Sequence, residues 1–342
     1  MSHAALESSE GAEQRVQNVA ERPANLKTAG HGSIDLLYLT SASFSGSTLL
    51  TFLLAAQPSI ATVGELKASG IANIEKYRCS CGEQLKVCGY WKLLTEDLAQ
   101  RGVRFDVTRF GTHFRFSTPG ALADRVVRAP IRAPWLEALR PLALGLLPGA
   151  AREFREIVER NQVLIDAICE RRGSRVFVDG SKEPTRLKYM IESGLWNVKP
   201  VHLIRDGRGF TNSQTLKALR RRPESDRRTE LRAHARHWRR VNEACEQVIG
   251  MVASDSWVRV RYEDLCRNTV ATLEPILGLI GERPVDVPAD FRSIEHHILG
   301  NVMRLREGRI KLDETWKEGL APDELAEFDE IAGDMNRRYG YV

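Results

Sequence analysis

The stretch Tyr38-Leu39-Thr40-Ser41-Ala42-Ser43-Phe44-Ser45-Gly46-Ser47-Thr48-Leu49-Leu50 joins an apolar, β-rich run to a helix through a turn made largely of small hydroxylated residues. Small side chains let the turn's backbone N–H groups close around an oxyanion. The helix that follows adds free N–H donors and the positive end of its dipole at the same point. The lysine-bearing phosphate loop G-x-x-x-x-G-K-[ST] does not fit, because in its register the first glycine is Ser41 and the lysine is Ser47. Without a cation that reaches a γ-phosphate, the turn suits an anion less demanding than the tail of a nucleoside triphosphate.

Further β-rich runs lie at residues 34–39, 175–178, 201–204 and 258–262, with a shorter one at 61–63, and each is followed by a helical pattern. Pro58 closes the first helix, Gly173 follows a long helix that starts near Arg152, and Pro184 opens one that runs to Ser193. Strands alternating with helices predict an α/β fold: a P-loop-like, doubly wound parallel sheet flanked by helices, with ligands at the carboxyl ends of the strands. Residues 69–149 have weak strand character and many Arg, Pro and Gly punctuations, which predicts a mostly helical insert shaping an acceptor pocket. Residues 1–32 are polar and lack the apolar run of a signal peptide. They read as a disordered or loosely attached tail to a single domain at 33–342, and the protein as cytoplasmic.

The strand Val201-His202-Leu203-Ile204 ends in a second turn, Arg205-Asp206-Gly207-Arg208-Gly209-Phe210-Thr211-Asn212-Ser213. There Arg205 can offer a planar fork to a phosphate, and Ser213 can add a hydroxyl from the following helix. Ser-Gly-Ser-Thr-Leu-Leu after a strand resembles the 5′-phosphosulfate loop of sulfotransferases that use 3′-phosphoadenosine 5′-phosphosulfate (PAPS). The Arg205–Ser213 turn resembles the same family's 3′-phosphate loop. Arg261-Tyr262-Glu263-Asp264-Leu265 is similar to the family's tyrosine-glutamate-aspartate segment, and His296-His297-Ile298-Leu299-Gly300-Asn301-Val302-Met303-Arg304 to a segment of bacterial and carbohydrate-type members that closes over the 3′-phosphate.

The resemblance implies a PAPS-dependent sulfotransferase leaving the product PAP, 3′-phosphoadenosine 5′-phosphate. Its cofactor contacts would come from Ser45, Gly46, Ser47, Thr48, Leu49, Arg205, Ser213, Tyr262, Asn301 and Arg304. Tyr262 would lie near the adenine, though a strand-end tyrosine packed on the sheet explains it as well. Glu65, in Val63-Gly64-Glu65-Leu66, matches a glutamate proposed as base in bacterial relatives; a helix N-terminal acid is the plainer reading. Lys182, just past a buried strand, is the best cation for the bridging oxygen or sulfuryl group, against a solvent-facing loop lysine. His296 and His297 are the second choice of base. Many members carry Arg or Lys before the Ser-Gly-Ser, where this chain has Phe44, so that cation is missing here.

Sulfuryl transfer moves a group of lower charge than a phosphoryl group, so positioned cations and N–H donors suffice and no metal clamp is required. A small-molecule, carbohydrate or lipid acceptor, with a hydroxyl as default, is expected. The net charge of +5 suits a polyanionic cofactor but falls short of a nucleic-acid-coating protein. The longest apolar stretch, 136–147, is broken by Arg140 and Pro141 and is too short for a membrane span, so it reads as a buried or substrate-lining helix. Arg228, Arg232, Arg236 and Arg240 recur at four-residue spacing, most simply a solvated helix face.

Cys79, Cys81 and Cys88 form C-x-C-x6-C, which departs from the C-x2-C of zinc knuckles and lacks a fourth ligand in sequence. The expectation is a structural or redox-labile loop with no metal. A second reading of the whole chain, a kinase or NTPase, draws on Val176-Phe177-Val178-Asp179 as a metal-binding acidic strand. A third is a non-catalytic nucleotide-binding module.

Overall fold

The computed structural model describes residues 34–68, 71, 73–116, 134–285, 291–292, 297–305 and 309–342. The N-terminal tail and His296 lie outside the described residues. Five strands, β1 (Asp35–Thr40), β2 (Ile60–Thr62), β3 (Val176–Lys182), β4 (Asn197–Ile204) and β5 (Val258–Arg261), form one parallel sheet in the order β2-β3-β1-β4-β5. The chain winds from β1 to one edge and back through β3, then to the other side through β4. The reversal therefore falls at β1, and the carboxyl ends of β1 and β4 adjoin.

Both faces of this sheet are covered, and the run Leu36-Leu37-Tyr38-Leu39 of β1 shows why successive positions are apolar. Leu36 and Tyr38 enter one cluster, with Phe177, Leu187, Trp91 and Ile165, while Leu37 and Leu39 enter the opposite one, with Leu50, Leu53, Val201, Leu273 and Ile276. Alternate side chains of a strand face opposite ways, so a strand buried on both faces needs apolar residues at every position. Each of these leucines, fully buried, adds about 1.5–3 kcal/mol.

The helices follow the sequence signals. α1 is Ser47–Ala55, α2 Gly89–Gln100, α3 Pro134–Gly145 and α4 Pro148–Arg172, the last ended by Gly173 in the left-handed conformation (φ 67°). α5 (Pro184–Ser193) has proline at its first turn. α6 (Gly207–Arg221) and α7 (Arg227–Ile249) are capped by Asp206 and Asp226, whose carboxylates accept from the N–H groups of Arg208 and Thr229. After β5 come α8 (Tyr262–Arg267), α9 (Thr269–Gly278), α10 (Trp316–Gly319), α11 (Pro322–Phe328), a π-helical turn (Asp329–Gly333) and α12 (Asp334–Arg338).

Strand β4 begins four residues ahead of its apolar run and passes through Pro200. β5 pairs only from Val201 onward, so the strand has no partner on that side at the proline.

Within residues 69–149, helix is found at α2, at α3 and at the start of α4, and the described residues 101–116 are irregular. α3 buries an Arg140–Glu137 pair bonded twice at 2.7 Å and leaves Leu139 and Leu142 exposed, so it is only partly the buried helix expected. The arginine face of α7 is not merely solvated. Arg228 pairs with Glu327, Arg232 lies 3.6 Å from the same carboxylate, and Arg227 and Arg239 bond Glu324 and Asp334. These pairs fasten α7 to the C-terminal helices. No helix among the described residues is long and apolar enough to cross a membrane.

Candidate active site

The turn after β1 takes the form its composition predicts. Gly46 has φ 88° and precedes α1 with no side-chain cap, so the N–H groups of Ser47, Thr48 and Leu49 face outward, the first intrahelical bond being Leu50 N–H to Gly46 C=O. Glycine is required here twice over: for the positive φ, and because a Cβ would sit 2.5 Å from the Tyr262 ring. Ser45 is fully buried, and its Oγ has no hydrogen-bond partner among the described residues. The same holds for Ser41 Oγ on this turn and for Thr211 Oγ1 and Thr215 Oγ1 on α6. Buried hydroxyls without partners cost free energy unless something satisfies them, which fits an oxyanion.

At the end of β4, Arg205 is 5% exposed. It donates to Phe44 C=O at 3.0 Å and to the Asp313 carboxylate at 2.8 Å, and its guanidinium lies 5.0 Å from the centre of the Tyr262 ring. Its Nε has no partner among the described residues. Arg205 thus joins the two predicted phosphate loops directly. Although burial raises the pKa of the Asp313 carboxylate, the Thr315 hydroxyl and Arg205 hold it below its usual value. Ser213 is half-buried, two turns into α6.

Tyr262 is a brace between the loops rather than an open ring. It is 7% exposed, packs on Gly46 and under Arg205, bonds Lys311 C=O through its hydroxyl and accepts from Asp313 N–H. Trp316 completes this wall, its ring 4.2 Å below the Arg208 guanidinium and in contact with Gly209.

Glu65 and Lys182, expected separately, are brought together as an ion pair, with side chains only 15% and 12% exposed. Glu65 follows β2, held by Gly64 (φ 77°), whose carbonyl accepts from Gly180 N–H at 2.8 Å. Lys182 ends β3 with φ 71°, the left-handed region that a lysine rarely adopts. Thr40 Oγ1 donates to its carbonyl at 3.2 Å, tying it to the end of β1, where the first loop begins. The pair therefore sits at the same sheet edge as the anion cradle.

Residues 297–305 close the side of Glu65. Leu299 pairs in parallel with Gly64 just past β2, with its N–H on Val63 C=O at 2.8 Å and its carbonyl accepting from Glu65 N–H at 3.2 Å, and a Cβ on Gly300 would meet the Glu65 carboxylate at 2.6 Å. Asn301 caps the next turn, its Oδ1 accepting from Met303 N–H. Arg304 differs from expectation: its guanidinium is committed to the carbonyls of Arg78 (2.9 and 2.6 Å) and Gly300 (2.6 Å) and lies over the Tyr77 ring at 4.2 Å. It clamps two loops together, because a buried guanidinium bonds whatever acceptors surround it. His297 sits among Cys79 and Cys88 and stacks on Tyr90, which removes it as the second-choice base.

Two features were not read from the sequence. The first is Lys217, whose ammonium lies 3.9 Å from the centre of the Phe44 ring, so a cation lacking at position 44 is delivered beside it from α6. Its place one turn after Ser213 was the available signal. The second is the buried network of Asp179 and Arg186, bonded at 2.9 Å, with Arg186 also donating to Asn161 (2.6 Å) and Thr112 C=O (2.6 Å). Asp179 is fully buried and also accepts from Ser181 N–H. It is a structural anchor for the end of β3, and this removes the support for the kinase reading, which needs that carboxylate facing a metal.

Solved structures with similar chains include the sulfotransferase domain of the Synechococcus PCC 7002 olefin synthase (17% identity, TM-score 0.48, covering 89% of this chain and 96% of that one). Others are the sulfotransferase domain from the curacin biosynthetic pathway (18%, 0.48, covering 91% and 98%) and sulfotransferase STF9 from Mycobacterium avium (14%, 0.47, covering 97% and 82%). No curated protein matches the sequence. The model of the sulfotransferase family matches residues 38–286, which take in the turn after β1, both strands that bear Glu65 and Lys182, the Arg205 loop and Tyr262, and the chain belongs to that family.

Proposed function

We propose that the protein transfers a sulfuryl group from PAPS to a hydroxyl of a small-molecule, carbohydrate or lipid acceptor. The observation that carries this is the meeting of two anion-directed loops through Arg205, with Arg205 Nε and Ser45 Oγ buried and unpartnered among the described residues beside outward-facing helix N–H groups. Ser45 to Leu49 would hold the 5′-phosphosulfate, and Arg205 and Ser213 the 3′-phosphate, with Asp313 giving way to it. PAPS supplies the sulfuryl group, leaving as PAP. Glu65 takes the acceptor's proton, and Lys182 aims that carboxylate while adding positive charge near the transferring group. Lys217 supplies the charge that position 44 lacks. Arg304 serves as the clamp of the neighbouring wall, with Asn301 beside it.

Arg205→Ala is expected to lower affinity for PAP by about 2–3 kcal/mol per lost charged contact and to erase most of the preference over the 3′-dephospho nucleotide. Titration calorimetry with both nucleotides measures this, and unchanged affinity for PAP would remove Arg205 from the site. Thr48→Ala is expected to weaken PAP binding by about 1 kcal/mol with little change in melting temperature, since Thr48 is half-buried at the helix start. A matching fall in both quantities would make Thr48 a structural residue only.

A further inference from the structure

The three thiols of the C-x-C-x6-C loop acquire in space the partner they lack in sequence. Cys79 Sγ lies 3.6 Å and Cys88 Sγ 3.4 Å from His297 Nδ1, 218 and 209 residues further along, and Cys81 Sγ lies 3.7 Å from Cys88 Sγ. All four ligand atoms fall within 4.8 Å of one another. We infer that Cys79, Cys81, Cys88 and His297 form a tetrahedral zinc site that fastens the 77–88 loop to the 297–305 segment.

The distances carry this. Zinc binds thiolate sulfur at about 2.3 Å and imidazole nitrogen at about 2.0–2.1 Å, so in a tetrahedron two sulfurs lie about 3.8 Å apart and sulfur and nitrogen about 3.6 Å. The 3.6, 3.4 and 3.7 Å separations of this cluster match those edges. A disulfide accounts for them less well, because it needs sulfurs at about 2.05 Å. Three soft thiolates and an imidazole, with no carboxylate among them, are a donor set for zinc rather than for magnesium or calcium. Four protein ligands leave no open position, so the metal would be structural and not catalytic.

The surroundings are built to hold the ligands still. The Cys79–Gly82 turn closes with Gly82 N–H on Cys79 C=O at 3.0 Å and Cys79 N–H on Glu83 C=O at 2.9 Å, with Gly82 at φ 90°. Cys88 is the residue before α2, where the helix dipole favours a thiolate. The His297 ring is fixed by stacking on Tyr90, centroids 4.3 Å apart and planes 10° apart. Cys79 and Cys88 are buried, while Cys81 is exposed and gives the metal a way in. Around this hub the two segments are stitched by Ile298 N–H to Ser80 Oγ (2.7 Å), Gly300 N–H to Tyr77 Oη (2.8 Å) and the Arg304 clamp on Arg78.

The test is metal content of the full chain, made without a histidine tag, purified under reducing conditions and measured by elemental mass spectrometry. About one zinc per chain is expected. Cobalt in its place should give the strong visible absorption of a tetrahedral thiolate site. Cys81→Ser, which alters an exposed thiol and so spares the fold, and His297→Ala should lose zinc to a competing chelator more readily by over the roughly 10–100-fold typical of an outer-sphere loss, whereas Cys266→Ser should retain it. Chelation should lower the melting temperature and speed hydrogen exchange at Ile298 and Gly300. Absence of zinc from the unaltered chain, equal zinc retention by the unaltered chain and Cys81→Ser against the chelator, or a Cys81–Cys88 disulfide in protein purified under reducing conditions overturns the assignment. Neither outcome bears on nucleotide binding, so the site stands or falls apart from the proposed activity.

Discussion

Arg186→Leu is expected to destabilise the protein by about 3–5 kcal/mol, the cost of leaving a buried charge without its partner. Asp179 is fully buried, and Arg186 is 2% exposed and bonds three different groups, so neither the carboxylate nor the Asn161 and Thr112 acceptors can turn to water when the guanidinium goes. Replacing both charges, as Asp179→Leu with Arg186→Leu, should recover much of the loss, because matched apolar groups remove the desolvation cost of the lone ion. Urea unfolding of the two variants and the unaltered protein measures this, and a single-variant loss under about 1 kcal/mol would show that the network contributes little. The same measurement reports on the site, because Asp179 holds Ser181 N–H and so fixes the strand end from which Lys182 projects.

Glu65→Gln is expected to lower turnover by about 100-fold or more while PAP affinity stays nearly constant, as follows when a general base is lost but the nucleotide loops are untouched. Lys182→Met should act likewise, and because the two side chains form one ion pair, the double variant should be far less impaired than the product of the singles. The measurement is a turnover assay with labelled PAPS on an acceptor found by mass-spectrometric screening, alongside calorimetry with PAP. Full turnover in Glu65→Gln would assign the proton to another acceptor, and a parallel loss of PAP affinity would make the pair a scaffold for the cradle.

The sheet was legible because its strands carry apolar runs, such as Leu36-Leu37-Tyr38-Leu39 and Val176-Phe177-Val178, and helices near them have recognisable starts or stops, such as Pro184 or Gly173. The two turns proposed to hold phosphate were legible as turns because small residues and a strand-end arginine mark them locally. What escaped was whatever depends on distant partners. Lys182 and Glu65 are 117 residues apart, and nothing in either segment announces the other. Arg304 has the charge of a phosphate ligand, but its surroundings supply three carbonyl contacts that the sequence does not display. The cysteine loop lacked a fourth ligand only while His297 was counted among candidate bases. Asp179 reads equally well as a metal-facing acid or as a buried anchor until Arg186, in the first turn of α5, is seen to bond it.

Lys182 adopts a backbone conformation that glycine would take without penalty, at a cost on the order of 1 kcal/mol or more for any residue with a Cβ. Mutational drift that optimised the fold alone would therefore carry this position to glycine and delete the ammonium that meets Glu65. In a comparison of related sequences, lysine at this position would mark chains selected for chemistry, and glycine would mark chains in which that demand has lapsed and the scaffold has been free to relax.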